Sequence, residues 1–393
     1  MEKICAYILT GGQPDELDPL TEVRNKAALP VLGMYRIIDF ALSNLMNSEI
    51  DNVGVITQYL PGSLMEHIGI GFPWDFVGYG RSCRVLPPFY GKKSMQWYEN
   101  GFDGIKKNLF FAKSTGANDV LVLSGDNIYK MDYRPIIDYH RMNDADVTIV
   151  VKKFPAIEIE NRLGLVSFDN SGRIKYMLEK PAAVDNEGFA SIGIYLFKAS
   201  AFYDILENTD LSGDKRTAGI RLWTKLRDYK AFTYVTDEDW HYVRDLEEYA
   251  KLNLSFLNEE KIKKLDLFNI RTSMEDRHTG YRPSSVIKQA KGANNVFIPK
   301  GVRIFGEAEN CIFSPGAYIE RGAIVKDSII FHDTVVKAGA VVRNAVVDKD
   351  VVVSEKAEVG GPGKLTVVGK GRIVNKGERV EAGVKLSPFR GDG

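Results

Sequence analysis

The chain has 393 residues, 52 basic and 52 acidic side chains, and 44% hydrophobic residues. That length is enough for two domains with separate cores, and the balanced charge gives no basic field of the kind that binds nucleic acid. No stretch approaches the ~20 apolar residues that a membrane-spanning helix needs, so we expect neither nucleic acid nor a membrane as a partner.

The cysteines indicate a reducing compartment. Cys5, Cys83 and Cys311 stand far apart, without paired spacing, which favours neither a zinc site nor a disulfide framework. Strand-like sequence begins almost directly after Met1 and leaves no room for a signal peptide. These features predict a cytoplasmic protein.

Residues 1–257 alternate short apolar runs with amphipathic stretches. The runs predict strands and the helical spacing predicts helices; the clearest are Ile4–Leu9, Ile37–Leu45, Val120–Leu123, Ile136–His140, Val147–Val151 and Ile192–Phe197. Such alternation is typical of an α/β domain with a mainly parallel, Rossmann-like sheet. Ligands of these sheets bind outside the carboxyl ends of the strands, where Gly11–Gly12 and Ser124–Asp126 fall.

Residues 294–393 follow a different period. Segments beginning at Cys311, Ser328 and Ala345 align without gaps at a spacing of 17 residues. Mostly small residues precede each short apolar strand; they are Cys311, Ser328, Ala345, Ala317, Thr334, Val351, Ala323, Ala340 and Ala357. This pattern predicts a left-handed parallel β-helix of hexapeptide type. The charged, irregular stretch 258–293 between the two patterns is interpreted as a linker.

Six segments in order resemble the bacterial glucose-1-phosphate adenylyltransferase (ADP-glucose pyrophosphorylase) family. They are Glu22–Pro30, Tyr35–Asn44, Gly54–Tyr59, Ser124–Tyr133, Glu179–Pro181 and Ala190–Tyr195. The resemblance implies a nucleotidyltransferase domain that lets a sugar phosphate attack the α-phosphorus of ATP, with Mg²⁺ and positive charge stabilising the triphosphate. It also implies a substrate-like pocket, formed by Gly12, Lys26, Tyr98, Asp126, Glu179, Lys180 and Ser191.

The departures from the family pattern fall on the triphosphate, metal and adenine side. Pro14 stands where the last loop glycine would offer an N–H to phosphate, and Glu16 stands at the arginine position. The second metal carboxylate aligns with Tyr242, a neutral phenol and a poor magnesium ligand, which leaves Asp126 as the one family metal ligand. In the adenine segment, Phe102 replaces a small residue. The resemblance therefore leaves no residue assigned to catalysis and implies no productively bound Mg²⁺.

These departures favour the non-catalytic regulatory subunit of the family enzyme, acting in glycogen biosynthesis. Such a subunit would assemble with a catalytic paralogue into a heterotetramer and respond to a sugar phosphate or another metabolite effector. Two roles remain open for Lys26: it would bind a phosphate, or it would form an ion pair with Asp15 or Glu16. Glu179 and Lys180 would hold a sugar phosphate or form a surface ion pair.

Three other functions are compatible with the sequence. A true adenylyltransferase would use Asp126, Lys26 and Asp245 with altered metal geometry. A metabolite-sensing or scaffold protein would bind a sugar phosphate without assembling on an enzyme. An acyltransferase of the β-helix type would use a coil histidine, for which His332 is the candidate.

Overall fold

The computed structural model describes residues 3–12, 15–90, 95–274, 280–288 and 293–388. The chain forms two compact units that interleave along the sequence. Unit 1 comprises Met1–Gly12, Phe40–Gln58 and Ile68–His241, and unit 2 comprises Gln13–Asp39, Tyr59–His67 and Tyr242–Gly393. Because of this interleaving, the boundaries at residues 257 and 294 stay a prediction from the change of pattern. Pro14 lies outside the described residues.

The strands are short in the C-terminal part and longer in the N-terminal part. In chain order they are β1 (Ile4–Leu9), β2 (Pro30–Val31), β3 (Tyr35–Arg36), β4 (Asn52–Ile56), β5 (Ser82–Leu86), β6 (Phe89–Tyr90), β7 (Met95–Gln96), β8 (Asp119–Ser124), β9 (Asn127–Tyr129), β10 (Val147–Pro155), β11 (Gly164–Phe168), β12 (Ile174–Glu179), β13 (Glu187–Lys198), β14 (Ala231–Val235), β15 (Trp240–Tyr242), β16 (Val286–Ile287), β17 (Ala293–Phe297), β18 (Arg303–Ile304), β19 (Glu307–Phe313), β20 (Tyr318–Ile319), β21 (Ile324–Lys326), β22 (Ile329–Ile330), β23 (Val335–Val336), β24 (Val341–Arg343), β25 (Ala345–Val347), β26 (Val352–Val353), β27 (Glu358–Gly360), β28 (Thr366–Val368), β29 (Ile373–Val374), β30 (Arg379–Val380) and β31 (Lys385–Leu386).

The helices in the described ranges are short, and several begin with a side-chain cap. They are α1 (Ile37–Asn47), α2 (Gly62–Ile68), α3 (Gly101–Lys107), α4 (Leu109–Thr115), α5 (Arg134–Met142), α6 (Ala156–Ile159), α7 (Ala199–Asn208), α8 (Lys215–Lys225), α9 (Leu246–Ser255) and α10 (Glu259–Leu265). Asn100, Asp214 and Asp245 accept hydrogen bonds from the first turns of α3, α8 and α9, which satisfies backbone N–H groups that have no partner within a helix. None of the helices in the described ranges is long and apolar enough to cross a membrane.

Unit 1 is built on a nine-stranded sheet with the order β12-β11-β13-β8-β1-β4-β5, and β10 joins β13 to β14. The pairs β8–β1, β1–β4 and β4–β5 are parallel, as the apolar runs predict. β13 runs antiparallel to β8, β10 and β11. The parallel part of the sheet therefore brings the carboxyl ends of β1, β4 and β8 to one edge, where the site was predicted.

The C-terminal part of unit 2 is a parallel β-helix, as predicted. Ile319, Val336 and Val353 lie in register on one face, at the 17-residue spacing that also separates the hydrogen-bonded Asn310 and Asp327. The small residues that precede the strands are at most 1% exposed, which confirms that they point into crowded corners. The β-helix begins within the predicted linker, because β16 pairs with β18. α10 also lies within that linker.

A larger side chain at one of these corners is expected to destabilise the β-helix. Ala340 is fully buried, so Ala340→Leu should lower the free energy of unfolding by about 1–3 kcal/mol through overpacking. Ala338 lies two residues earlier and is exposed, so Ala338→Leu is the matched control. Urea denaturation followed by circular dichroism measures both, and equal effects of the two substitutions would contradict a tightly packed corner.

All three cysteines are buried and unpaired, as the sequence predicts for a chain without a disulfide framework. Burial raises the pKa of each thiol to about 12. Thiols with so high a pKa form little thiolate at neutral pH and are poor nucleophiles. Cys5, Cys83 and Cys311 therefore act as small apolar side chains.

Candidate active site

The strand ends of unit 1 bring the glycine turn and Asp126 together. Gly11 has a φ of +75°, and a Cβ built on it would lie 3.8 Å from Oδ2 of Asp126. Gly11 and Gly12 are exposed. The N–H of Gly125 donates to the carbonyl of Leu9 at 2.8 Å. This bond joins the turn that contains Asp126 to the strand end before Gly11. The two segments predicted at the ligand edge are thus neighbours.

Asp126 has a local partner that the sequence analysis missed. The hydroxyl of Ser124 donates to its carboxylate, and Ser124 is the last residue of β8. The spacing of two residues between them is a signal that could have been used, because a strand end followed by a tight turn brings such side chains together. Ser124 therefore orients the carboxylate at this edge.

Ser191 also reaches this part of the sheet, because β13 runs antiparallel to β8 with Ile194 opposite Leu123. Ser191 is buried and its hydroxyl donates to the Tyr195 hydroxyl at 2.9 Å. The N–H of Gly193 donates back to Ser191 at 3.3 Å, and a Cβ at Gly193 would lie 3.0 Å from Cβ of Ser124. Ser191 and Ser124 therefore belong to one neighbourhood.

Glu179 ends β12, opposite Gly164 in β11. The indole N–H of Trp223 donates to Glu179 Oε2 at 3.3 Å. Lys180, the next residue, is partly buried and has a φ of +46°. No sequence spacing pointed to Trp223, which lies 44 residues away from Glu179. Its contact indicates that the Glu179 carboxylate is held in place and is not simply a surface charge.

Tyr98, which the family resemblance assigns to the substrate-like pocket, is buried in the core of unit 1. The side chain is only 6% exposed and belongs to the hydrophobic core. Its hydroxyl donates to the carbonyl of Pro87 at 2.7 Å and accepts from Asn108 at 2.9 Å. Because the ring lies in the core and the hydroxyl already has two hydrogen-bond partners, Tyr98 offers no open face to a ligand.

In unit 2, the side chain of Lys26 lies over the ring of Tyr242. Nζ of Lys26 is 4.1 Å from the ring centroid, within the range of a cation–π interaction. Lys26 is 5% exposed and opens a short 3₁₀ turn that Asn25 caps. Neither of the two roles left open for Lys26 included this contact, because Lys26 and Tyr242 are far apart in the sequence.

The remaining predicted residues of unit 2 differ in their exposure. Asp15 and Glu16 begin a 3₁₀ turn, Asp15–Leu17, and are both exposed. Asp245, the alternative metal ligand, accepts from the N–H of Glu248 at 2.9 Å as the cap of α9 and pairs with Arg244 at 2.8 Å. His332 is 2% exposed within the β-helix. No group of three or more His, Cys, Asp or Glu side chains that could hold a metal occurs in the part of the chain that the structure describes.

Comparisons with known proteins agree with this arrangement. The nucleotidyl transferase family model matches residues 5–259, and the model described as GlmU-like, C-terminal hexapeptide matches residues 284–365.

Curated relatives named glucose-1-phosphate adenylyltransferase match over most of their length. The protein of Clostridium novyi (strain NT) is 34% identical over 324 residues, which cover 80% of this chain and 82% of the relative. The protein of Thermotoga neapolitana is 35% identical over 326 residues, covering 82% and 76%. The protein of Clostridium acetobutylicum is 33% identical, covering 81% and 84%. The nucleotidyl transferase model matches more than half of this chain, and these relatives match most of it. This chain therefore belongs to the glucose-1-phosphate adenylyltransferase family.

Proposed function

We propose that this chain is a regulatory, catalytically inactive subunit of glucose-1-phosphate adenylyltransferase, acting in glycogen biosynthesis in the cytoplasm. The contact between Lys26 and Tyr242 carries the proposal. At the position that the family resemblance gives to a metal carboxylate there is a phenol, and the neighbouring ammonium is 4.1 Å from its ring. Glu16 adds a negative charge where the family has an arginine. Both changes oppose binding of a triphosphate with its metal.

The residues present do not fit a catalytic Mg²⁺ ion. Magnesium prefers octahedral oxygen coordination, with one or two carboxylates and the substrate phosphates. Asp126 supplies one carboxylate, which the Ser124 hydroxyl already engages. At the position that the family resemblance gives to the second metal carboxylate, Tyr242 supplies no charge, and the Lys26 ammonium lies over its ring. We therefore derive no reaction step through a metal in this subunit.

The active-enzyme alternative would need Asp245 as the second carboxylate. Both oxygens of Asp245 have partners: Oδ1 accepts from Glu248 N–H at the start of α9, and Oδ2 accepts from Arg244. Recruiting Asp245 to a metal would break a helix cap and an ion pair. This cost is a second reason, beside the contact between Lys26 and Tyr242, for preferring the inactive subunit.

The partner surface proposed for assembly with a catalytic paralogue lies around β5, the edge strand of the unit 1 sheet. Ile70, Phe72 and Tyr79 precede this strand and are strongly exposed. Trp74, between them, is fully buried and would support the surface without contacting a partner. Exposed apolar side chains beside an edge strand are a common feature of subunit contacts.

Pyrophosphate release from ATP and glucose 1-phosphate with Mg²⁺ tests the proposal. We expect no turnover by this chain alone and a changed rate or substrate affinity when a catalytic paralogue is added. The paralogue mixed with the heat-denatured chain is the control. Turnover by the chain alone would favour the active enzyme, and failure to co-elute with the paralogue on size-exclusion chromatography would favour a free-standing metabolite sensor.

A further inference from the structure

A cavity of about 520 Å³ lies in unit 1, between the end of α7 and the second half of α8. This volume is within the range of sites that bind small molecules. The residues of α8 that line the cavity are Ile220, Arg221, Thr224 and Lys225. Positions that are one, four and five residues apart share one face of a helix. One face of α8 is therefore a wall of the cavity.

The opposite face of α8 packs against Glu179 of the candidate active site. Gly219 and Trp223 lie on that face and are buried. The Trp223 indole donates to Glu179 Oε2 at 3.3 Å, and a Cβ built on Gly219 would lie 3.5 Å from Cδ of Glu179. The helix itself thus separates the cavity from Glu179, which makes the cavity a site distinct from the strand-end site.

Two arginines bring unused hydrogen-bond donors to the cavity. Arg221 donates from Nη1 alone, to Asp210 and Ser212, so its Nε and Nη2 have no partner among the residues that the structure describes. These two groups form one edge of the guanidinium, which fits a carboxylate or a phosphate through two parallel bonds. Arg227, in the 3₁₀ turn after α8, is exposed and has no hydrogen bond or ion pair within the described ranges.

The charge around the cavity favours an anion. Three basic side chains line it, Arg221, Lys225 and Arg227, against two acidic ones, Asp210 and Asp228. Asp210 pairs with Arg221 at 2.6 Å, and Asp228 pairs with Lys225 at 3.0 Å. Each carboxylate therefore already has a cation beside it, and the charge of Arg227 remains uncompensated.

Thr209 and Ile220 add a polar and an apolar contact. Thr209 directly follows α7, lines the cavity and is 7% exposed, and its hydroxyl has no hydrogen-bond partner. A buried hydroxyl without a partner costs folding free energy and is rare in folded proteins, which indicates that another molecule supplies the missing bond. Ile220 is 49% exposed on the cavity wall, and it suits the carbon skeleton of an organic ligand better than a bare ion.

We propose that this cavity binds a small organic anion whose oxyanion group is a carboxylate or a phosphate. The Nε–Nη2 edge of Arg221 and the guanidinium of Arg227 hold the oxyanion group. The Thr209 hydroxyl donates to one of its oxygens, and Ile220 packs against the carbon skeleton. This site goes beyond the proposed regulatory function and does not depend on it, because its lining residues need neither ATP nor a metal nor a partner subunit.

Calorimetric titration of the full chain with phenyl phosphate, benzoate and inorganic phosphate tests the assignment. Phenyl phosphate and benzoate carry the two oxyanion groups on the same ring, so the tighter of the two identifies the group that the site takes. We expect that probe to bind with a dissociation constant of about 1 mM or below. Inorganic phosphate lacks a carbon skeleton to pack against Ile220, so it should bind at least about threefold more weakly than phenyl phosphate.

Substitutions in the cavity should weaken the tighter organic probe. Arg227→Gln should weaken it about tenfold, because it removes a charge-assisted contact. Arg221→Lys keeps the charge but loses the two-donor edge, so a loss of about fivefold is expected. Thr209→Val keeps the shape of the side chain without its hydroxyl and should cost about fivefold. Arg216→Gln is the matched control, because Arg216 is exposed in the first turn of α8, outside the cavity lining.

The control changes the net charge as Arg227→Gln does, and its affinity should stay within about twofold of the unaltered chain. Equal losses for Arg227→Gln and Arg216→Gln would overturn the proposal, since they would show a diffuse effect of surface charge. An affinity that no cavity substitution changes would place the anion elsewhere on the chain and would overturn it too. So would the absence of binding by both organic probes at about 10 mM. Each of these results leaves the proposed regulatory function untouched.

Discussion

Asp348→Asn is expected to lower the free energy of unfolding by about 3–5 kcal/mol. Asp348 forms a bidentate pair with Arg24, with two nitrogen–oxygen distances of 2.9 Å. The side chains are 0% and 3% exposed, so water does not screen them. Removing the carboxylate charge leaves the guanidinium buried, with the carbonyl of Leu20 as its other acceptor at 3.0 Å. An uncompensated buried cation is the physical source of the loss.

Urea denaturation of the full chain, followed by circular dichroism, measures this change in the free energy of unfolding. The double variant Arg24→Met/Asp348→Leu should recover most of the lost stability, because it removes both charges together. Lys113 and Glu207 form an exposed pair at 2.9 Å, so Glu207→Gln is the matched control, with an expected change of about 0–1 kcal/mol. A loss for Asp348→Asn no larger than that of this control would contradict a structural role for the buried pair.

Glu16→Arg combined with Tyr242→Asp is expected to raise adenylyltransferase activity about 100-fold or more above the background of the unaltered chain. The arginine would supply positive charge to the triphosphate, and single electrostatic contacts of this kind contribute 10²–10³-fold in enzymes. The aspartate would supply a carboxylate at the position that the family resemblance gives to the second ligand of Mg²⁺. The pyrophosphate-release assay on the chain alone measures the gain.

Two controls show whether a gain in activity comes from the added arginine and aspartate or only from the loss of the Glu16 and Tyr242 side chains. Glu16→Ala combined with Tyr242→Phe removes the carboxylate and the hydroxyl without adding a cation or a metal ligand, and it should give no gain. Each single substitution should fall short of the pair, because both the cation and the carboxylate are required. If the pair gives no gain, then the site differs from an active one at more than these two positions, and Phe102 is the next position to restore.

The β-helix and the location of the ligand edge can both be predicted from the sequence alone. The β-helix is readable because each coil repeats the same local pattern, so small residues such as Ala323 and Ala340 mark the corners before any contact is known. Asp126 and the Gly11 turn are readable because each directly follows an apolar strand, and parallel strands bring their carboxyl ends to one edge. Both inferences rest on short-range periodicity and on a general rule of sheet geometry.

The contacts between distant side chains, and their accessibility, become visible only in the folded chain. Arg24 and Asp348 are 324 residues apart in the sequence. Nδ2 of Asn100 donates to the carbonyl of Gly213, and no local sequence pattern predicts that contact either. The family resemblance assigns Tyr98 to the substrate-like pocket, yet its ring lies in the core. Such contacts depend on how elements distant in sequence pack together, and on the burial that results, neither of which a local period encodes.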